Sequence, residues 1–202
     1  MKILAIDTVI DTASVAISID EEIVYYRRDD KKHKQAENLI YMIEAALFET
    51  NVQYKELSYI AVCIGPGSFT GTRIGVSAAN GFFSALNIKL IGVTSLETIA
   101  IQNSKLKKSL IVLNAGRNQC YTQFYKNGLP ISSIEIMENS KIIDLSKRYY
   151  VIGNSNASNQ IILPNAKLVL KAAFYRLKQK LIKKTVLKPL YIRLPDAITL
   201  SN

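Results

Sequence analysis

Hydrophobic and polar positions recur with two different periods along the first half of the chain, and these periods predict its elements. Three short apolar runs, 3–7, 15–19 and 22–27, are typical of strands and are separated by polar turns. Residues 35–51 follow a helical spacing of three to four, with apolar positions on two opposite faces. A helix of this kind needs cover on both sides, so one sheet cannot bury it completely.

A glycine-rich loop separates the next strand from the next helix. The apolar run 60–64 leads into residues 65–73, G-P-G-S-F-T-G-T-R, and a second helical pattern covers 72–86. A strand, a tight loop and a helix N-terminus in this order present free N–H groups that suit an anion. The loop has neither of the two phosphate-binding spacings, G-x-x-x-x-G-K-[ST] and G-x-G-x-x-G. A phosphate site and a turn that seats the helix on its sheet are therefore both open interpretations.

The second half of the chain also begins with paired strands. These are predicted at 110–113 and 120–125, and the dipeptide Asn127-Gly128 predicts a hairpin turn after them. A strand at 149–152 and a helix over 166–184 follow. The polar stretch 103–108 predicts a boundary, so we expect an N-terminal α/β subdomain at 1–105 and a smaller, basic α/β subdomain at 106–202.

Charge is distributed unevenly between these two halves. Residues 1–105 hold 10 lysines and arginines against 12 acidic residues, a net charge of −2, whereas residues 106–202 hold 16 against 4, a net charge of +12. Six lysines lie on or near the last predicted helix: Lys167, Lys171, Lys178, Lys180, Lys183 and Lys184. The basic half is either a surface for nucleic-acid phosphates or a lysine-rich face that is merely solvated.

The sequence lacks several familiar catalytic patterns. It contains one histidine, His33, and has neither the H-E-x-x-H of zinc peptidases nor the G-x-S-x-G of esterases. Cys63 and Cys120 lie in predicted strands and are interpreted as buried free thiols of a cytoplasmic protein, with a disulfide as the less favoured alternative. No stretch approaches the roughly 18 apolar residues of a membrane span, and the N-terminus does not resemble a signal peptide. We therefore expect no membrane partner.

Several motifs together resemble the TsaB (YeaZ) family. They are G-P-G-S-F-T-G-T-R-I-G at 65–75, V-T-S-L-E-T-I-A at 93–100 and I-L-A-I-D-T at 3–8. Further on, Asn114-Ala115-Gly116-Arg117 resembles the family's D-A-R segment, with Asn114 in place of the acid, and Pro189 to Arg193 resembles its C-terminal motif. The resemblance is strong over 1–105 and patchy afterwards. It implies the actin-like ATPase/sugar-kinase (ASKHA) α/β fold, with two subdomains of which the second is reduced.

This resemblance implies a non-catalytic scaffold or activator subunit. Such a subunit binds the catalytic paralogue TsaD, together with the ATPase TsaE, for N6-threonylcarbamoylation of adenosine 37 in tRNAs that read codons starting with A. It implies a homodimer when the chain is alone and tRNA contact only through the complex. It also implies no metal and no tightly bound cofactor, with ATP bound only in the assembled complex.

One chemical comparison points the same way. In TsaD, the segment aligned with 93–100 has histidines where this chain has Ser95 and Ile99. Histidines at i and i+4 share one helix face and can bind one metal, which serine and isoleucine cannot do.

Two sets of functional residues are expected. In the implied fold the first strand ends in an Asp that faces nucleotide-bound metal, so vestigial nucleotide or phosphate contacts are predicted at Asp7, Thr8, Gly65, Gly67, Ser68, Thr70 and Arg73. For Asp7 a structural capping role is equally open. An interface on helices 35–51 and 72–86 is predicted to contain Tyr41, Ala45, Phe48, Ile74, Gly75, Ala78, Ala79 and Phe82.

Two functions of other classes are weighed against the scaffold. The first is a stand-alone ATP-dependent transferase or kinase of the same fold. It would need a glycine-rich adenosine loop, yet the second half has only isolated glycines at 116, 128 and 153. The second is a direct tRNA-binding module, favoured by the basic half alone.

Overall fold

The structure is a computed structural model that describes residues 1–29, 31–103, 106–182 and 185–193. A five-stranded sheet forms the first half, in the order β3-β2-β1-β4-β5. Its strands are β1 (Lys2–Asp7), β2 (Ser14–Ile19), β3 (Glu22–Arg28), β4 (Tyr59–Cys63) and β5 (Lys89–Val93). β1 is antiparallel to β2 and parallel to β4, so the antiparallel and parallel parts of the sheet meet at β1.

Alternation along the strands places two apolar layers on the two faces of this sheet. Leu4 and Ile6 face α1 (Gln35–Glu49) and α2 (Phe69–Leu86), which lie side by side on one face. Ile3 and Ala5 face α5 (Ala166–Lys178), which covers the other face. The sheet is therefore buried on both sides, which explains why its central strands are almost entirely apolar.

The second half contains a six-stranded sheet in the order β11-β10-β6-β7-β8, with β9 also paired to β7. Its strands are β6 (Ser109–Gly116), β7 (Gln119–Lys126), β8 (Leu129–Pro130), β9 (Glu135–Glu138), β10 (Tyr150–Gly153) and β11 (Gln160–Ile161). α3 (Ser95–Ala100) packs on one face and α4 (Asn139–Ser146) on the other. The two predicted halves therefore each carry a sheet, and the mixed α/β class is confirmed.

Some boundaries differ from the predictions. α2 begins at Phe69 rather than at residue 72, because Ser68 caps it. The last helix ends at Lys178, not at 184, and Lys180 has a left-handed backbone with φ 55°. Lys183 and Lys184 lie outside the described residues. α4 had no prediction, since its only buried residue is Ile142 and its sequence shows no long apolar stripe.

The predicted division at residue 105 separates the two sheets but not the helices. α5 follows the second sheet in the chain, yet its apolar residues Val169, Leu170 and Ala173 belong to the core of the first sheet. α3 precedes the division, yet Leu96 and Ile99 belong to the core of the second sheet. Each sheet is therefore packed against a helix from the other half of the sequence. A count of charges along the chain cannot reveal this arrangement. Within the described ranges, no helix is long and apolar enough to cross a membrane.

The glycines of α2 give a prediction with a matched control. A Cβ at Gly71 would lie 2.0 Å from the Thr8 carbonyl oxygen, whereas a Cβ at Gly81 meets no atom within 4 Å. We expect Gly71→Ala to lower the free energy of unfolding by about 3 kcal/mol, because backbone must shift. Gly81→Ala should raise it by about 0.5–1 kcal/mol, because alanine loses less entropy in a helix. Denaturant unfolding measures both; equal effects of the two changes would contradict the packing described here.

Candidate functional site

The loop between β4 and α2 is tied to the turn that follows β1. Ser68 is the N-cap of α2, and its Oγ accepts a hydrogen bond from the Gly71 N–H at 3.2 Å. The Ser68 N–H donates to the Val9 carbonyl at 2.7 Å. Part of the polar backbone that could receive an anion is thus used within the chain.

Close backbone contact explains the small residues of this loop. The Thr8 hydroxyl donates to the Gly71 carbonyl at 2.6 Å. A Cβ at Gly67 would lie 2.4 Å from the Val9 carbonyl oxygen, so only glycine fits there. Thr8 is fully buried, and its hydroxyl is committed to α2 rather than to a ligand. The seated-turn interpretation therefore describes the geometry of the loop.

Asp7 is buried at the end of β1. Its Oδ1 accepts a long hydrogen bond from the Val9 N–H at 3.5 Å, and its carboxyl also accepts from the Cys63 thiol. Burial raises the pKa of Asp7 to about 6, although these hydrogen bonds and the Arg28 charge act in the opposite direction. Burial and the neighbouring Asp7 also raise the pKa of Cys63. In this position the Asp7 carboxyl caps the turn after β1 from inside the protein.

A cavity of about 480 Å³ lies between the turn after β1 and the end of β6. Its charged lining is Asp11, Arg28 and Lys32, and its polar lining includes Thr12, Ser68, Asn114, Tyr121 and Asn154. The Arg28 Nε donates to the Thr12 Oγ1 at 2.9 Å, and the Lys32 Nζ lies 3.7 Å from the Asp11 carboxylate. A polar cavity with two cations on its wall can accommodate a small anionic ligand.

The predicted nucleotide contacts are only partly brought together here. Gly67 and Ser68 line the cavity. Asp7, Thr8 and Gly65 are instead buried outside its lining, and the exposed Thr70 and Arg73 are also not part of it. Sequence reasoning did not predict Arg28, Lys32 or Asn154 as site residues, because they lie in separate segments that converge only through the fold.

The two positions that hold histidines in TsaD are filled by structural side chains. The Ser95 Oγ donates to the Pro66 carbonyl at 2.6 Å, and the Ser95 N–H donates to the Gly65 carbonyl at 2.9 Å. Ile99 is buried in the core of the second sheet. α3 therefore supports the glycine-rich loop from below. Across the described ranges, no group of three or more His, Cys, Asp or Glu could hold a metal ion.

A C-terminal strap, residues 185–193, lies against α2 without regular secondary structure. Asn80 and Leu187 exchange two hydrogen bonds, since the Asn80 Nδ2 donates to the Leu187 carbonyl at 2.9 Å and the Leu187 N–H donates to the Asn80 Oδ1 at 3.0 Å. The Leu190 N–H donates to the Ile64 carbonyl at 2.7 Å. The strap thus continues the hydrogen bonding of the first half along α2.

Arg73 holds the end of this strap. Its guanidinium stacks on the Phe69 ring at 3.7 Å, and its Nε donates to the Tyr191 hydroxyl at 2.8 Å. Arg193 then reaches the second sheet, where it donates to the Gln119 side chain and to the Ala115 carbonyl. The C-terminal motif noted in the sequence is therefore a brace between the two halves, and the predicted phosphate contact Arg73 is engaged in it.

An exposed apolar face lies on the outer side of α1. Tyr41 is 73% exposed and Phe48 is 87% exposed, while Ala45 between them is half-buried. A groove of about 380 Å³ runs beside Phe48 and is walled by Leu47, Val52 and Tyr54. This is the side of the helix that the sequence pattern left without cover.

On α2 the predicted interface residues divide into two groups. Ile74, Ala78 and Phe82 are half-buried, and Phe82 stacks on Tyr54 with ring centroids 5.4 Å apart. Gly75 and Ala79 are buried inside the subunit, so their assignment to an interface is wrong. A Cβ at Gly75 would lie 2.5 Å from the Thr8 Oγ1, so this glycine admits the turn after β1 rather than a second chain.

The lysines of α5 are engaged with the first half of the chain. The Lys178 Nζ pairs with Glu21 at 2.9 Å, and the Lys171 Nζ donates to the Gln102 side chain at 3.2 Å. The Lys167 Nζ lies 4.4 Å above the Tyr26 ring. These three do not form the free basic face that the sequence suggested, because α5 packs on the less basic half.

The raised pKa of Asp7 gives a pH-dependent prediction. The pKa of Asp7 in the folded protein, about 6, is higher than its ordinary value of 3.8. The favourable contribution of this group to the free energy of unfolding is therefore complete below pH 3.8 and is lost as pH rises through about 6. Asp7→Asn removes that loss. We expect the variant to unfold like the wild type near pH 4 and to be more stable by up to about 3 kcal/mol above pH 7.

Denaturant unfolding between these pH values tests the idea, with Asp11→Asn as a surface control of the same chemistry. A stability difference for Asp7→Asn that does not vary with pH would mean that the buried carboxyl stays charged throughout.

Comparison with known proteins agrees with this architecture. Residues 29–145 match the family model TsaD, described as tRNA N6-adenosine threonylcarbamoyltransferase. A solved structure, YeaZ from Pseudomonas aeruginosa, superposes with a TM-score of 0.78 over 95% of this chain and 99% of that chain, at 19% identity. At that identity the match concerns the fold.

Sequence relatives are more specific. The tRNA threonylcarbamoyladenosine biosynthesis protein TsaB of Buchnera aphidicola from Schizaphis graminum is 30% identical, over 85% of this chain and 92% of that protein. Its counterpart from the Acyrthosiphon pisum strain is 29% identical, over 88% and 90%. The chain therefore belongs to the TsaB (YeaZ) family of tRNA threonylcarbamoyladenosine biosynthesis proteins.

Proposed function

We propose that this chain is a non-catalytic scaffold subunit that binds the catalytic paralogue TsaD through the outer face of α1 and α2. The observation that carries the proposal is the exposure of Tyr41 and Phe48 on one helix face. Soluble monomers rarely expose contiguous apolar patches, and large aromatic side chains at the centre of such a patch are typical anchors of interfaces.

The neighbouring side of α2 suits a helical partner. Its exposed positions include the small residues Ser77, Gly81 and Ala85. Ile74, Ala78 and Phe82 stand half-buried between this side and α1. Two helices with aromatic knobs on one and small residues on the other offer ridges and grooves to a second helix pair. In the absence of TsaD, a second copy would use the same face, giving an isologous homodimer.

The non-catalytic part of the proposal rests on α3. At the positions of the TsaD histidines, Ser95 is hydrogen-bonded to the loop and Ile99 is buried in the core, so neither side chain is available to a metal. The chain would then contribute a surface, while TsaD and TsaE supply transfer and ATP chemistry to tRNA. ATP would be bound only in the assembled complex.

The cavity beside Arg28 and Lys32 is the observation that favours the second candidate, a stand-alone ATP-dependent transferase or kinase. Against it, Asp7 and Thr8 face the protein interior and do not line that cavity. Because Asp7 and Thr8 are buried behind the lining of the cavity, they cannot contact a phosphate there unless β1 rearranges.

The interface proposal predicts the effect of one charge. Phe48→Asp should leave the monomer folded, because this side chain is already exposed, and should weaken TsaD binding at least a hundredfold, because an unpaired charge would be buried on association. Size exclusion and pull-down with TsaD measure this. Ile161→Asp is the matched control, since Ile161 is 75% exposed but lies on the second sheet, and it should bind normally.

If Phe48→Asp still dimerises and still captures TsaD, the interface lies elsewhere. Loss of binding by both variants would point to a general effect of added charge rather than to the α1 face.

The non-catalytic proposal predicts that the isolated chain neither transfers threonylcarbamoyl groups nor hydrolyses ATP appreciably. The reason is the interior position of Asp7 and the structural use of Ser95 and Ile99. Steady-state assays with added Mg²⁺, with and without TsaD, check this. Metal-dependent turnover by the chain alone that vanishes in Asp7→Ala would favour the stand-alone enzyme.

A further inference from the structure

Four cations from three separate segments lie at one end of the second sheet, and we call them the basic pole: Lys107, Lys108, Lys126 and Arg148. In the strand register Ser109 of β6 lies opposite Tyr125 of β7 and opposite Tyr150 of β10. Lys107 and Lys108 therefore precede β6, Lys126 ends β7 and Arg148 precedes β10, all at the same end of the sheet. The Asn127 N–H donates to the Leu106 carbonyl at 3.0 Å, which holds the β7 end beside the start of β6.

The side chains of these cations have no hydrogen-bond or ion-pair partner among the residues that the structure describes. All four are exposed, and none forms a salt bridge with any residue in the described ranges. Neighbouring strands lie roughly 5 Å apart, so three strand ends present the four charges within about 10–15 Å. No salt bridge within the described residues offsets their mutual repulsion, in contrast to Lys178, whose charge is paired with Glu21.

The surface beneath the basic pole is rigid and partly aromatic. Tyr149 packs on Phe124 with ring centroids 5.0 Å apart, which fixes the segment that carries Arg148. Tyr150 is 43% exposed at the same strand end. Closely spaced cations beside an accessible aromatic ring suit a polymer that carries regular negative charge and planar bases.

We propose that the basic pole contacts the phosphate backbone of RNA, and, resting on the proposed function, that this RNA is the tRNA held by the assembled complex. A single small anion would use one or two of the four cations, whereas a phosphate chain can use them all. The opposite end of β6, at Asn114, lines the cavity about 17 Å away, so this surface is separate from that site.

The test compares two charge reversals of equal size. Lys108→Glu/Lys126→Glu removes two cations of the basic pole, and Lys55→Glu/Lys89→Glu removes two exposed lysines of the first half. Fluorescence anisotropy with labelled tRNA, between about 50 and 200 mM salt, gives affinity and salt slope for the isolated chain and for the complex with TsaD. Thermal unfolding checks that both variants fold.

In the complex, we expect the basic-pole variant to bind tRNA at least tenfold more weakly, with a salt slope flattened by roughly two. The control should keep the wild-type slope and most of its affinity. Equal losses in both variants, or displacement of tRNA by polyglutamate as effectively as by unlabelled tRNA, would overturn the proposal. TsaD capture is measured in the same samples, so failure of the scaffold proposal would appear separately as a missing complex.

Discussion

The approach of the turn after β1 to the N-terminal half of α2 is the contact on which the rest of the structure depends. The Val9 carbonyl lies so close to Gly67, and the Thr8 carbonyl so close to Gly71, that no side chain fits at either glycine. A hydroxyl-to-carbonyl hydrogen bond from Thr8 closes the contact. This packing sets the depth at which α2 lies on the first sheet, and therefore the height of α1 beside it. The apolar face of α1 is presented outward as a result.

The same contact explains what the glycine-rich loop does. A loop of this composition before a helix suits an anion in general, yet here the N–H groups of Ser68 and Gly71 are hydrogen-bonded within the chain, and the carbonyls of the loop are engaged as well. Val9 accepts from Ser68, α3 donates to the carbonyls of Gly65 and Pro66, and the strap donates to Ile64. The loop is thus a junction at which the first sheet, α3 and the C-terminal strap meet. Only Gly67 and Ser68 keep contact with the cavity.

Sequence patterns predicted the strands of the first sheet and its first helix well. The short apolar runs of those strands and the two-faced pattern of α1 needed no long-range information. Predicting which residues the glycines and the cations contact did need long-range information. Gly75 and Ala79 share a spacing that suits either an internal contact or an interface, and only the position of Thr8 decides between them. In the sequence, the lysines of α5 suggested one basic face. Which sheet α5 packs on depends on the topology of the whole chain.

Long-range register also created features that no local pattern contains. Arg28, Asn154 and Ser68 line one cavity although they come from three distant segments. The four cations of the basic pole come from three separate segments and become neighbours because β6 and β10 begin where β7 ends. A chain can pair such charges internally, as Lys178 does with Glu21, and it can cover an apolar face, as α5 does for one face of the first sheet. The α1 face and the basic pole receive neither treatment within the described residues. Binding of the proposed partners would bury the first and neutralise the second.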